Sequence, residues 1–153
     1  SNNIALEYLK ANVGNKNSKT PSGLGRWLDG TILEAEKGLL RMQFEVREDM
    51  TNPTKSLHGG AIAAIMDEMM GGMVMCMGKP TYYTSVNLQV DFFAPAKIGD
   101  LLEAQAKIVK EGRQIIHTAC DLILVRKKRL IATASSNLMR TEIPIDFKKM
   151  EAV

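Results

Sequence analysis

Two cysteines and two histidines are all that 153 residues offer for metal or disulfide chemistry. His58 and His117 lack ligand spacing, so no zinc-type cluster and no metal-binding residue is expected. Cys76 and Cys120 each lie in an apolar run. One such pair makes no disulfide framework, and the expectation is two reduced core thiols in a cytoplasmic protein. His117 and Cys120 stand three apart in a strand-like segment, which points them to opposite faces and argues against a Cys–His nucleophile. Charge of one sign is also scarce. A formal net charge of +3 is too mild for a nucleic-acid partner, which requires a concentrated basic stripe, but it suits an anionic small molecule. Phosphate-loop and dinucleotide glycine patterns are missing, as are repeats, linkers and low-complexity tracts.

What is present is enough apolar material for one core: 45% of the chain is hydrophobic, and the length fits one domain over residues 1–153. Residues 1–29 read as an N-terminal helix (about 3–13) and a mobile polar loop (14–25), and residues 30–142 as the folded core. Thr31 to Glu36 and Leu39 to Arg47 form an expected hairpin around Lys37-Gly38, with Met42, Phe44 and Val46 alternating against polar neighbours. Residues 81–93 repeat that period of two, with Val86, Leu88, Val90 and Phe92 as the apolar set. Three further strands are expected at 101–110, 115–126 and 130–141. Strands meandering around one helix define an α+β plan.

The helix, residues 59–77, decides the reading. It is apolar nearly all round and holds five methionines between Met66 and Met75. Such a helix is buried in protein or in lipid. Asp67 at its centre argues against lipid, because a charged Asp there costs about 2.5–3.5 kcal/mol, so no membrane association is expected. A carboxylate in an apolar helix needs partners or shifts its pKa, which marks Asp67 as a functional candidate. Gly71-Gly72 interrupts the run. Met70 and its neighbours are candidates for a pliable acyl pocket, against the plainer role of core filler. His58-Gly59-Gly60 opens the helix. Glycines there let a ligand carbonyl approach, and first-turn N–H groups with the helix dipole favour an oxyanion.

From His58 to Asp67 is nine residues, or roughly 13.5 Å of rise and about 2.5 turns. The two lie far apart and on nearly opposite sides of one helix. A two-fold partner with its helix antiparallel can bring them together. The expectation is a site with Gly59 and Gly60 from one subunit and Asp67 from the other.

Asn52, His58-Gly59-Gly60, Asp67, Thr84-Ser85-Val86-Asn87-Leu88 and Phe92-Phe93-Ala94-Pro95-Ala96 together resemble the hotdog-fold acyl-CoA thioesterases. Within them, the likeness is to the phenylacetyl-CoA thioesterase-like branch that includes the thioesterase superfamily member two type, over about residues 30–142. The resemblance implies a long helix wrapped by an antiparallel sheet, a homodimer with shared sites usually doubled to a homotetramer, and hydrolysis of acyl-CoA without a metal or other cofactor, CoA being part of the substrate. It implies that Asp67 is general base or nucleophile and that Gly59 and Gly60 supply the oxyanion hole. His58 and Asn52 then position the thioester and the catalytic loop, and Ser85 orients the attacking water across the interface. Glu68 adjoins Asp67, but neighbours on a helix point about 100° apart, so only one faces the site.

Arg113, Lys127 and Lys128 lie at expected turns and are candidates for CoA phosphates, against the plainer role of solvated turn residues. Two other functions compete. A dehydratase or hydratase of the same fold uses His and a carboxylate for proton transfer, and the paired glycines favour acyl transfer over it. A non-catalytic acyl-CoA-binding sensor is expected to carry a DNA-reading domain, for which 153 residues leave no room.

Overall fold

The computed structural model describes residues 3–148. Its helices are α1 (Ile4–Ala11), α2 (Gly23–Leu28) and α3 (Gly59–Met75). Its strands are β1 (Thr31–Glu36), β2 (Leu39–Glu45), β3 (Thr81–Ser85), β4 (Gln89–Phe92), β5 (Leu101–Glu111), β6 (Ile115–Leu124) and β7 (Arg129–Pro144). Two short 3-10 turns, Glu48–Met50 and Val125–Lys127, complete the described elements. The strands form one antiparallel sheet in the order β1-β2-β5-β6-β7-β3, with β4 also on β7. The sheet curls around α3, which touches β2, β3, β5, β6 and β7.

The fit between helix and sheet rests on complementary side-chain sizes. Across the sheet, Ala106, Cys120 and Ala134 lie in register, and beside them Ala104, Leu122 and Ala132. All are buried. These mostly small residues leave room for the long side chains of Met66, Met69, Met70 and Met73, each of which is fully buried. Large-against-small pairing fills an interior at crystal-like density. Burial of each such side chain contributes about 1.5–3 kcal/mol. Gly71 and Gly72 do not break the helix, because burial of one face outweighs the roughly 1 kcal/mol that each glycine costs against alanine.

Two expectations need correction. Residues 14–25 are not a free loop. Gly14 and Asn17 N–H groups donate to Ile32 and Gly30 carbonyls, Asn15 accepts from Ile32, and Ser22 caps α2 by accepting from Gly25 N–H. Residues 81–93 are not one strand. Ser85 pairs with Leu138 and Gln89 with Ser135, so four steps on this side oppose three on β7. The extra residue is a bulge. It is held by Asn87, whose side-chain oxygen accepts from Asn137 N–H and whose carbonyl accepts from the Ser136 hydroxyl.

The bulge reverses the parity of the alternation. Ser85 opposes buried Leu138, and beyond the bulge Val90 and Phe92 oppose buried Ala134 and Ala132, so all three share the inner face. The β3–β4 edge consequently leaves apolar surface uncovered: Val86 is 51% exposed, Phe92 55% and Phe93 58%. Among the described residues no helix is long and apolar enough to cross a membrane.

Candidate active site

The start of α3 is organised by the loop before it. Asn52 Oδ1 accepts from Thr54 N–H (3.1 Å), the Thr54 hydroxyl (2.7 Å) and Ser56 N–H (3.1 Å), and Asn52 N–H donates to Ser56 carbonyl. One acceptor with three donors closes a tight turn, in which Lys55 takes a left-handed φ of 63°. His58 N–H then donates to Met50 carbonyl, which fixes where the helix begins. Asn52 is thus a positioning residue for the loop.

His58 is the N-cap. Its Nδ1 accepts from Gly60 N–H at 2.8 Å. An accepting Nδ1 leaves the neutral ring's proton on Nε2, which faces outward on an exposed side chain. This corrects the pairing of Gly59 with Gly60 as oxyanion donors. The Gly60 amide is taken by the cap, as expected of the second helical position under an N-cap acceptor. The Gly59 amide has no acceptor among the described residues. A Cβ at Gly59 sits 3.4 Å from the Phe92 ring, so β4 walls this amide on one side.

In the middle of α3, Asp67 is half-buried rather than enclosed, because it lies on the side of the helix that the sheet leaves open. The Ser85 hydroxyl donates to Asp67 Oδ1 at 3.1 Å. This contact is made within one chain, where an action across an interface was expected. Glu68 has a different partner: its Oε1 accepts from the Ser22 hydroxyl at 2.8 Å, and Ser22 also caps α2. A Cβ at Gly25 falls 2.8 Å from Glu68 Oε2, so a larger residue there displaces the carboxylate against which α2 docks.

Asp67 and Ser85 border a cavity of about 440 Å3 that runs between α3 and the N-terminal segment, with Gly71, Met75, Tyr8 and Gly25 also in its walls. Met70 does not line it. That side chain is 0% exposed and belongs to the core, since it turns toward the sheet, which corrects its place among substrate contacts. Arg113 is exposed at the β5–β6 turn, beside a surface depression shared with Lys79 and Arg140. Lys79 pairs with Glu111, and that hydrogen bond raises its pKa. Lys127 and Lys128 are exposed at the opposite end of β6, whose ten residues span roughly 33 Å. Arg113 and the two lysines are not one cluster in one chain.

The opposite-side placement describes His58 and Asp67, nine residues apart; Gly59 and Asp67, eight apart, are rotated by only about 80°. Gly59 meets Phe92 of β4 and Asp67 meets Ser85 of β3, so both lie along the same sheet edge, separated along the helix axis. Sequence places Phe92 in a strand and in the motif of the resemblance but not at the site, and nothing in it marks the Ser22–Glu68 contact. Phe92 was read as an ordinary strand residue because the bulge leaves no mark in the alternation. Cys76 and Cys120 are buried free thiols, and burial pushes both up to about 12, which keeps them unreactive. Among the described residues, no group of three or more His, Cys, Asp or Glu is placed to hold a metal ion.

One long helix held in a curled antiparallel sheet defines the hotdog fold. The model of the thioesterase superfamily matches residues 54–128. Mouse acyl-coenzyme A thioesterase 13 is 30% identical over 102 residues, covering 67% of this chain and 73% of that protein. The human protein of the same name is 28% identical over the same span. The chain belongs to the thioesterase superfamily. Among solved structures, mouse thioesterase superfamily member 2 is 26% identical with a TM-score of 0.73, covering 89% of this chain and 93% of that one. Escherichia coli PaaI, from the phenylacetic acid degradation operon, shares the fold with a TM-score of 0.78 at 18% identity, covering 93% and 99%.

Proposed function

We propose that the protein hydrolyses acyl-CoA thioesters at a site shared by two copies of the chain. The observation that carries this is the separation of parts along one sheet edge: Asp67 with Ser85 in one place, the free Gly59 amide with Phe92 in another. An exposed apolar edge invites a partner. A two-fold axis there runs the edges antiparallel and sets Asp67 of one copy beside Gly59 of the other. The same operation brings the Arg113 end of one chain toward the Lys127 and Lys128 end of its partner, where cations meet the CoA phosphates.

In this mechanism the Gly59 N–H, at the positive end of α3, polarises the thioester carbonyl. Asp67, oriented by the Ser85 hydroxyl, takes a proton from water as the water oxygen bonds to the carbonyl carbon, or attacks that carbon itself. The tetrahedral oxyanion collapses, the carbon–sulfur bond breaks, and CoA leaves as thiolate; where Asp67 is the nucleophile, water then cleaves the mixed anhydride to free acid and the Asp67 carboxylate. His58 and Asn52 hold the loop and helix start in place. No cofactor is required. Pairs assembling into a homotetramer and a cytoplasmic location complete the reading, the latter supported by two unbridged thiols.

Thiol release from a panel of aryl-, short- and long-chain acyl-CoAs, with Asp67→Asn as control, tests the proposal. Release that the substitution abolishes is expected. Release undiminished by it moves the chemistry to Glu68. No release on any substrate leaves an acyl-CoA-binding protein.

A further inference from the structure

We propose that the cavity between α3 and the N-terminal segment is the acyl pocket of this site, and that Gly71 sets its depth; this rests on the hydrolase reading above. The starting observation is a glycine without a local reason. Gly71 sits in an α-helix with no positive φ, and a Cβ built on it meets nothing within 4 Å. Alanine there would be about 1 kcal/mol better for the helix. Its neighbour Gly72 differs, because a Cβ at Gly72 comes within 3.3 Å of Leu40 and the close packing accounts for the glycine. At Gly71 the empty space is part of the cavity.

The position of that space is informative. Asp67, Gly71 and Met75 follow at intervals of four, so they form one stripe along the open side of the helix. From the carboxylate to Met75 the stripe extends roughly 12 Å. An acyl chain whose thioester carbon lies at Asp67 can pass over Gly71, which presents only backbone, and end against Met75. Opposite this stripe stands the N-terminal segment, with Tyr8 and Gly25 in the wall. The wall is fixed to the helix by the Ser22–Glu68 hydrogen bond, one residue from Asp67. A stripe of roughly 12 Å suits a medium-chain acyl-CoA, whereas an extended octadecanoyl group runs well past Met75.

The test compares kcat/KM for acetyl-, octanoyl-, decanoyl- and octadecanoyl-CoA in the wild type, Gly71→Ala and Gly71→Leu, with melting temperature and oligomeric size measured alongside. In the wild type, kcat/KM is expected to peak at octanoyl- or decanoyl-CoA. Gly71→Leu is expected to lower the decanoyl-to-acetyl ratio more than tenfold, since each lost methylene contact is worth about fourfold. Gly71→Ala, which the helix accommodates, lowers the ratio less and keeps the test open if the leucine variant does not fold. A ratio unchanged in the folded variants overturns the proposal, and so does a change in oligomeric size without a change in ratio, which assigns the space to a second copy. Wild-type hydrolysis with an unaltered ratio rejects the pocket alone. No hydrolysis by the wild type rejects the reading on which the pocket rests.

Discussion

The start and the middle of α3 are built on different principles. At the start the chemistry is in the backbone. Asn52 shapes a turn, His58 caps, and the product is one free N–H at Gly59 beside Phe92. At the middle it is in side chains, Asp67 with Ser85, next to a cavity. The start offers an electrophilic donor with no base. The middle offers a base and room for a substrate with no free donor. On the proposed reading, the chain carries both halves of a reaction centre, held apart by its own helix, and a second copy joins them.

Substitutions separate the two halves, and the largest effect is expected at the middle. Asp67→Asn keeps size and shape and is expected to lower kcat by about 10²–10⁴, the range for removal of a general base, with the melting temperature nearly unchanged. Gly59→Pro comes next. Proline fits the first helical position, and His58 already has the extended backbone (φ −63°, ψ 137°) that a residue before proline prefers. The N–H is lost and a ring stands in its place beside Phe92, so kcat is expected to fall by at least about 10²–10³ with the fold intact by circular dichroism. Asn52→Ala leaves three donors without their acceptor. It is expected to destabilise by about 1–3 kcal/mol in denaturant titration and to lower kcat more than it raises KM. Gly71→Ala is the smallest, a gain of up to about 1 kcal/mol in thermal or chemical unfolding.

The sequence announces the parts that obey a period. The β2 alternation of Met42, Phe44 and Val46 is buried, and α3 runs as its apolar content requires. The α+β plan of strands around one helix follows from these, Asp67 stands out as a charge in an apolar run, and the hotdog assignment comes from the family resemblance. Less legible are features set by pairing partners distant in the chain. The bulge at 86–88 arises from the register against β7, where Asn87 holds it, and the apolar alternation runs through it unbroken. That register turns Ser85 inward to Asp67 and Phe92 toward Gly59. The docking of α2 was hidden in a polar segment, because its anchor is a serine hydroxyl meeting Glu68 rather than an apolar stripe. Loss of the Gly60 amide to His58 depends on a rotamer. Met70 shows the limit of composition: five methionines in ten residues indicate a pliable interior, and only the helix phase separates core from pocket wall.

The most direct measurement mixes two inactive proteins. Gly59→Pro and Asp67→Asn, each purified alone, are combined one to one under conditions that exchange subunits, and thiol release from decanoyl-CoA is followed. If each site draws Gly59 from one copy and Asp67 from the other, mixed pairs regain one intact site, and activity returns to roughly a quarter of the wild type. Activity that stays at the level of the separate variants, with subunit exchange verified, contradicts the shared site.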